Sequence, residues 1–358
     1  MKGKRAKSAG NKGTKAFVIV LVLLIIIAAA LFALKVVGEN NTQMANGESA
    51  SSEVSEKESE VPTPKTLAGD SRPVAVMIDN HIDAMPQAGL LEADIVYEII
   101  VEGGETRLML ILQDEDDLEK IGPVRSSRHY FLDYALENDA IYVHYGWSPQ
   151  AQSDISTLGV DNINGIYESS SSFWRVQDKY SPHNAVTSME NIMDIADRKG
   201  YRVKREKENV LNYVVDEVNL ENGEVANTVT IPYSYANTVK YEYDADKKEY
   251  VRYSRGEKQT DWDSGKTITT KNIIITKARN STLNDGSGKG RQTLDNVDTL
   301  DGYYITNGKA IEITCEKESR SGQTVYKDLE GNEIDVNDGK TFIQICPIDA
   351  DVEFGEEV

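Results

Sequence analysis

The feature that most constrains this chain is an unbroken apolar run of 19 residues near its start, from Ala16 to Leu34. At about 1.5 Å per residue, a helix of that length measures about 28 Å, close to the hydrocarbon thickness of a bilayer. Six basic residues and no acidic residue precede the run. Because basic flanks stay in the cytoplasm, we expect a single transmembrane helix in the cell membrane, with the later domains outside the cytoplasm. A cleaved signal peptide, with residues 28–30 as its small-residue site, is the alternative.

Charge and composition divide the remaining chain. Residues 1–37 are predicted to be a basic tail and anchor, whereas residues 39–358 carry 32 basic and 59 acidic side chains, a net charge of −27. Nucleic-acid binding depends on basic side chains that displace the counterions of the phosphate backbone. Because this part of the chain is acidic, no nucleic-acid partner is expected. Residues 38–71 are rich in Glu, Ser and Asn without apolar periodicity, which is typical of a disordered linker.

Two folded domains are predicted beyond the linker. Residues 72–215 alternate strand and helix patterns, which indicates an α/β or α+β domain with a mixed sheet. Its first strand, residues 74–78, is a continuous apolar run that suits burial on both faces, and it ends in Asp79. Residues 216–350 contain short alternating segments separated by turn signals, which indicates an antiparallel β-rich domain.

The stretch from Ile121 to His129 reads Ile-Gly-Pro-Val-Arg-Ser-Ser-Arg-His and precedes apolar residues at helical spacing up to Asn138. Ser126 or the next serine is predicted to cap this helix. Arg128 then heads its apolar face, where a guanidinium is costly without a carboxylate or a bound anion, and Arg125 lies beside it. A helix N-terminus also favours anions. Two readings stay open: a ligand site, and an internal clamp onto Asp or Glu.

A hairpin is predicted around Gly103-Gly104. A two-residue turn there pairs positions 102 and 105, 100 and 107, and 98 and 109. It places four charged side chains on one face: Glu98, Glu102, Glu105 and Arg107. Opposed glutamates repel one another, so a nearby cation is expected. Two carboxyl groups about 5–9.5 Å apart also suit glycan cleavage, which makes the three glutamates the candidate catalytic residues.

The remaining candidates are polar or aromatic residues of the first domain. The predicted ligand-binding set is Arg107, Arg125, Arg128, Ser126, Asp79, His144, His183 and Trp174. The histidine spacing matches no ligand pattern, so neither a metal nor a cofactor is expected. Trp147 and Trp174 are interpreted as sugar-stacking or core side chains. Cys315 and Cys346 either form a disulfide or remain buried thiols. The common nucleophile motifs do not occur in the sequence.

Several of these segments resemble the YerB-type family of bacterial extracytoplasmic proteins. They include residues 77–80, 92–98, 101–104, 121–128 and 181–184, and the Gly-Pro-Val-Arg-Ser element is the most specific. The resemblance covers about residues 72–347. It implies domain boundaries, an extracytoplasmic location and the place of a pocket, but no reaction, because the family is one of unknown function. Many relatives look like lipoproteins, whereas this chain has a transmembrane run.

Three classes of function are compatible with these features. The first is a cell-envelope binding or scaffolding protein with an anion pocket at Arg107, Arg125 and Arg128. The second is a cell-wall glycan hydrolase or transferase that uses a carboxylate pair. The third is a structural protein-interaction module in which the arginines are internal clamps. The expected partners are the membrane, through residues 16–34, and a cell-wall glycan, a peptide or another envelope protein.

Overall fold

The computed structural model describes residues 62–357. The predicted transmembrane helix at residues 16–34 and most of the predicted linker lie outside this range. Within it, no helix is both long and apolar enough to span a membrane. The last residues of the predicted linker lie against the folded body, because Leu67 is 3% exposed and the Thr66 hydroxyl donates to Asp338 Oδ1 at 2.7 Å.

The described chain is mostly β, with few helices. The N-terminal half contains β1 (Val74–Asp79), β2 (Ile95–Ile100), β3 (Thr106–Leu112), β4 (Ile141–His144), β5 (Asn162–Asn164), β6 (Trp174–Arg175), β7 (Ala185–Val186) and β8 (Asn212–Val214). Its α-helices are α1 (Phe131–Glu137), α2 (Pro149–Thr157) and α3 (Met189–Lys199). Short 3-10 turns occur at Ile82–Ala84 and Glu102–Gly104.

The C-terminal half adds only strands to the described chain. They are β9 (Glu224–Val225), β10 (Thr228–Ser234), β11 (Asn237–Asp244), β12 (Glu249–Ser254), β13 (Glu257–Lys258), β14 (Thr269–Thr270), β15 (Asn272–Thr282), β16 (Gln292–Asp295), β17 (Asp298–Thr306), β18 (Lys309–Lys317), β19 (Thr324–Asp328), β20 (Asp335–Asn337), β21 (Thr341–Pro347) and β22 (Glu353–Gly355).

One mixed sheet runs through both domains. Its strand order is β19-β18-β17-β15-β21-β2-β3-β1-β4-β5, with β16 and β9 at its side. The C-terminal strand β21 lies between β15 and β2 and is parallel to both. The predicted antiparallel β-rich C-terminal domain is mostly antiparallel, but the prediction was wrong at this strand, which pairs in parallel with β15. All seven β21 residues are buried, as is usual for a central parallel strand that lacks alternation.

The central strands of this sheet are buried on both faces. On one face, Val76 and Leu110 join a core with Ile231 and Tyr241 of a second sheet, ordered β13-β12-β11-β10-β22, with β14 beside β12. On the other face, Tyr97 and its neighbours pack with residues of α1. Burial on both sides explains why β1 and β3 read as continuous apolar runs, and it confirms the predicted first strand.

Both cysteines are buried free thiols in the structure. Cys315 lies in β18 and Cys346 in β21. Burial raises the pKa of each thiol to about 12, so neither is a reactive thiolate near neutral pH. Of the two alternatives left by the sequence, the structure shows the buried thiols.

Asp94, directly before β2, makes stability depend on pH. Burial, and next the charge of Glu115, raise the pKa of its carboxyl group to about 7. Because an unfolded aspartate titrates at about 3.9, the folded state binds the extra proton between about pH 4 and 7, so stability falls as pH rises through that window. We expect Asp94→Asn to remove this pH dependence. The free energy of unfolding changes by about 1.4 kcal/mol for each unit by which the pKa in the folded state exceeds that in the unfolded state.

The measurement is urea denaturation of both proteins at about pH 5 and about pH 8. The wild-type midpoint should fall relative to that of Asp94→Asn at the higher pH. Parallel pH dependences of the two midpoints would contradict the assignment.

Candidate functional site

The stretch from Ile121 to Arg128 is extended and lies across the carboxyl ends of β1 and β4. Two backbone hydrogen bonds tie it to β1, from the Arg125 N–H to the Met77 carbonyl and from the Asp79 N–H to the Pro123 carbonyl, both at 2.9 Å. A third bond of 2.9 Å, from the Tyr145 N–H to the Arg125 carbonyl, joins the stretch to the end of β4. The carboxyl ends of two neighbouring parallel strands therefore carry this stretch, which is a common place for ligand sites.

Gly122 permits the close approach of this stretch to β7. Its φ is +147°. A Cβ atom at this position would meet the Ala185 carbonyl oxygen and the Val186 side chain at 3.0 Å each. A larger residue would therefore force the stretch and β7 apart.

The predicted helix cap was wrong. Helix α1 begins at Phe131, and its N-cap, Tyr130, makes no side-chain capping bond. The Ser126 hydroxyl instead donates to the Tyr145 carbonyl at 3.0 Å, and Ser127 accepts from Tyr142 at 2.8 Å. Because the stretch is extended, both serine side chains hydrogen-bond outside α1. The arginines therefore do not lie at a capped helix N-terminus.

The predicted hairpin register was wrong by one residue. Arg107 pairs with Ile99, and Glu98 pairs with Leu108. The loop is a three-residue 3-10 turn, Glu102–Gly104, in which both glycines have positive φ, rather than a two-residue turn. Since side chains alternate along a strand, the shift places Arg107 on the face opposite to Glu98.

Three arginines, which we call the arginine cluster, gather at the edge of this hairpin: Arg107, Arg125 and Arg128. Arg128 holds Glu102 in a bidentate pair, with Nε–Oε1 at 2.6 Å and Nη2–Oε2 at 3.0 Å. Burial opposes ionisation of Glu102, yet the bonds and charge of Arg128 lower the pKa of its carboxyl group below the usual value. Arg125 Nε lies 3.0 Å from Asp79 Oδ2. Two members of the cluster are thus matched by carboxylates.

Arg107 is the exception in the cluster. It is 7% exposed and donates to the Ser126 carbonyl. No Asp or Glu oxygen of residues 62–357 lies within 4.0 Å of its guanidinium nitrogens. Burial first, and then the charge of Arg128, lower the pKa of Arg107 to about 10, although the charges of Glu102 and Asp79 oppose this shift. The cluster therefore combines three guanidinium groups with two carboxylates, and the surplus positive charge is buried.

Asp79 also orients a histidine pair beside the cluster. Its Oδ2 lies 2.7 Å from His183 Nδ1, and the His183 ring stacks on His81 at a centroid distance of 4.6 Å. Ligating atoms of these histidines and Asp83 lie within 4.8 Å of one another, close enough to share a cation. However, His81 Nδ1 already accepts from the Asp83 N–H at 3.2 Å, so a metal bound through that nitrogen would displace the cap of the 3-10 turn.

The three candidate glutamates have three different arginine partners. Glu98 Oε2 lies 2.7 Å from Arg252 Nη2, and both side chains are fully buried. Glu105 pairs with Arg255, and Glu102 pairs with the cluster. Glu98 is directed toward the second sheet and away from the cluster. The three glutamates therefore do not form a pair of neighbouring carboxylates in one site.

His144 and Trp174 lie apart from the cluster. His144 is fully buried, with Nδ1 2.8 Å from the Gly146 carbonyl and Nε2 3.1 Å from Asn162 Oδ1, and burial lowers its pKa. Trp174 is half-buried in β6, which pairs with β7. Of the predicted ligand-binding set, the structure brings together Asp79, Arg107, Arg125, Arg128 and His183, with Ser126 contributing its backbone carbonyl.

Sequence reasoning missed the buried network around Glu98. Its Oε1 accepts from Asn80 at 3.0 Å and from Thr106 at 2.7 Å, while Arg252 also donates to Tyr241 at 2.8 Å. Two signals were available: an ionisable residue inside the apolar run Ile-Val-Tyr-Glu-Ile-Ile, and an arginine at an inward position of alternating β12. A buried carboxylate requires a cation or a proton, and the second sheet supplies the cation.

These features define a two-domain, mostly β protein with a mixed sheet, completed by a C-terminal strand and carrying an arginine cluster at the end of β1. The chain belongs to the family described as Protein of unknown function (DUF3048). Residues 61–202 match the N-terminal domain of that family, and residues 229–343 match its C-terminal domain.

Two comparisons with individual proteins agree with this membership. The chain is 34% identical to the "Putative lipoprotein YerB" of Bacillus subtilis (strain 168) over 289 residues, which cover 78% of this chain and 82% of that protein. It is also similar to the crystal structure of YerB protein from Bacillus subtilis, with a TM-score of 0.71 and 33% identity over 81% of this chain and 97% of the other. The resemblance to the YerB-type family is confirmed.

Proposed function

We propose that this protein is a membrane-anchored, extracytoplasmic binding protein whose arginine cluster holds an anionic group. The observation that carries the proposal is the buried guanidinium of Arg107, which has no carboxylate partner among residues 62–357. A buried cation without a directly paired carboxylate is unfavourable, and a bound anion reduces that cost. The proposed site is therefore most stable when it is occupied.

The surroundings of Arg107 support binding by a preformed site. Glu102 and Asp79 fix the side chains of Arg128 and Arg125, so their positive charges do not have to be ordered when a ligand arrives. Arg107 itself is anchored through one nitrogen to the Ser126 carbonyl. Planar guanidinium groups match the oxygen pairs of carboxylates and phosphates, so the proposed ligand carries one of these groups, as cell-wall glycans and peptides do.

Binding is proposed in preference to glycan cleavage because of the glutamates. Cleavage needs one carboxyl group that donates a proton and a second carboxylate nearby. Glu98, Glu102 and Glu105 are each held by a separate arginine, and Glu98 lies on a different face of the hairpin from Arg107. Such pairing supports fixed charges better than it supports proton exchange.

The location is proposed from the start of the chain. The apolar run at residues 16–34 and its basic flank support an anchor with the folded domains outside the cytoplasm. The name of the Bacillus subtilis relative describes a lipoprotein, a class of protein that is attached to a membrane. That name supports membrane attachment of the present chain as well.

The proposal predicts specific anion binding by the full-length chain. Calorimetric titration with inorganic phosphate and with acetate should give binding at one site for at least one of them. Arg107→Gln should weaken it by about 10- to 100-fold, because a charge-assisted hydrogen bond contributes about 1.5–3 kcal/mol. Glutamine is a suitable replacement since it can still donate to the Ser126 carbonyl.

Arg279→Gln is the matched control. Arg279 lies exposed in β15 and has no carboxylate within 4.0 Å in the described chain, so its removal lowers the overall positive charge equally without touching the cluster. Equal affinities for wild type and Arg279→Gln, with weaker binding by Arg107→Gln, are expected. Loss of affinity in both variants to the same extent, or no binding by wild type, would contradict the proposal.

A further inference from the structure

A second candidate site lies in an open cavity of about 350 Å³ beside α2 and β5. Its lining includes Trp147, Gln152, Asn162, Asn164, Tyr167 and Lys199. No member of the arginine cluster lines it. Its size falls in the range of about 300–1,000 Å³ that is usual for small-molecule sites. The cavity is therefore a separate feature that the proposed anion site does not explain.

Two aromatic rings form one side of this cavity. Tyr167 is 71% exposed, and its ring centroid lies 5.8 Å from that of Trp147, with an angle of 55° between the ring planes. Trp147 is half-buried and is supported from below by the His144 ring at 5.5 Å. One ring is thus held in place, while the other presents most of its surface to solvent. A tyrosine exposed to this degree beside a tryptophan is an uncovered aromatic surface at the mouth of the cavity.

An unpartnered amide lies in the same cavity. Asn164 is 5% exposed, and its Oδ1 accepts from the Gly146 N–H at 2.9 Å and from the Ile166 N–H at 3.2 Å. Its Nδ2 is buried and has no hydrogen-bond partner among the described residues. Buried donors are nearly always satisfied in folded proteins, so this amide lacks an acceptor, which a ligand could supply if the side chains around Nδ2 shift to expose it.

The charges at the cavity favour a neutral ligand. The lining itself contributes one acidic and one basic group, Glu168 and Lys199, whose charged atoms lie 4.0 Å apart, and Glu168 also pairs at 3.1 Å with Arg198 outside the lining. The remaining polar side chains of the lining are neutral: amides such as that of the exposed Gln152, the Ser156 hydroxyl and the Tyr167 phenol. A ligand that fits needs an apolar face for the rings, hydroxyl groups for the amides and a carbonyl acceptor for Asn164 Nδ2.

We infer that this cavity binds a neutral saccharide, with an N-acetylated sugar ring stacked on Trp147 and Tyr167. The C–H face of a pyranose ring is apolar and packs on aromatic rings, while its hydroxyls hydrogen-bond amides. The acetamido carbonyl supplies the acceptor for the amide of Asn164. This inference does not depend on the arginine cluster, since the two sites share no lining residue.

The test is titration of the full-length chain with a neutral tetramer of β-1,4-linked N-acetylglucosamine. Binding is followed by calorimetry and by tryptophan emission. We expect binding by wild type and a loss of at least about tenfold for Tyr167→Ala, whose exposed side chain contributes little to folding. Trp147→Phe should keep calorimetric binding, because a ring remains, but should lose most of the emission change.

Tyr235→Ala is the matched control, because Tyr235 is 100% exposed and does not line the cavity. This variant should bind the tetramer as wild type does. Absence of binding by wild type, or equal affinity of Tyr167→Ala and wild type, would overturn the inference. The anion that binds wild type at the arginine cluster, inorganic phosphate or acetate, should bind Tyr167→Ala equally well, which separates failure at this cavity from failure of the proposed anion site.

Discussion

Replacement of Arg252 by methionine is expected to lower the free energy of unfolding by about 3–5 kcal/mol. Arg252 and Glu98 are both 0% exposed, and their charged atoms lie 2.7 Å apart. Removal of the guanidinium leaves the Glu98 carboxylate buried with only the neutral donors Asn80 and Thr106. The large effect follows from this uncompensated charge rather than from lost contact area.

Urea denaturation of the full-length protein measures the loss. The matched control is Arg198→Met, because Arg198 is 62% exposed in its pair with Glu168 and should cost no more than about 1 kcal/mol. Adding Glu98→Gln to Arg252→Met should recover part of the stability, since the buried charge is then absent. Similar losses for Arg252→Met and Arg198→Met would refute the assignment of a buried pair.

Lys317→Met is expected to cause a loss of similar size, about 3–5 kcal/mol. Lys317 Nζ lies 2.6 Å from Glu137 Oε2, and the two side chains are 2% and 0% exposed. Glu137 also accepts from Tyr97 at 2.8 Å and from the Thr324 hydroxyl at 2.7 Å. These neutral donors do not balance a buried negative charge when the ammonium group is removed.

The matched control for this pair is Lys327→Met. Lys327 pairs with Glu316 in the same strand pair, β18 and β19, but the two side chains are 28% and 39% exposed. Its loss should stay below about 1 kcal/mol by the same denaturation experiment. If Lys327→Met destabilised the protein as much as Lys317→Met, burial would not be the reason for the effect.

Both buried pairs connect the two halves of the chain. Glu98 in β2 reaches Arg252 in β12, and Glu137 in α1 reaches Lys317 in β18. The insertion of β21 beside β2 adds a continuous backbone ladder between the same halves. The two domains are therefore joined by one sheet and by two buried ion pairs, which makes their separation costly.

Local patterns predicted the local elements well. The apolar run before Asp79 predicted β1 as a strand buried on both faces, and the structure confirms it. The partner of β2 was not predictable in the same way, because β21 lies more than 200 residues further along the chain and nothing local in either strand specifies the pairing. Burial of β21 was signalled by its apolar composition, whereas its direction was not.

The candidate site shows the same division between local and distant information. The sequence predicted that Arg107, Arg125 and Arg128 converge, and they do. It did not predict which of them keeps a carboxylate, because that depends on the hairpin register, and a slip of one residue moved Arg107 to the opposite face from Glu98. In the structure Arg125 and Arg128 act as clamps, and Arg107 is the arginine left without a carboxylate partner in the described chain.

The most direct test of the proposed anion site is the location of a bound anion. Crystals of the full-length protein soaked in selenate allow the selenium atom to be found by its anomalous scattering. We expect a peak at the arginine cluster, with selenate oxygens about 2.7–2.9 Å from the Arg107 guanidinium nitrogens, and its loss in Arg107→Gln crystals. A cluster without selenate in wild-type crystals, while the protein in solution still binds phosphate, would contradict the account.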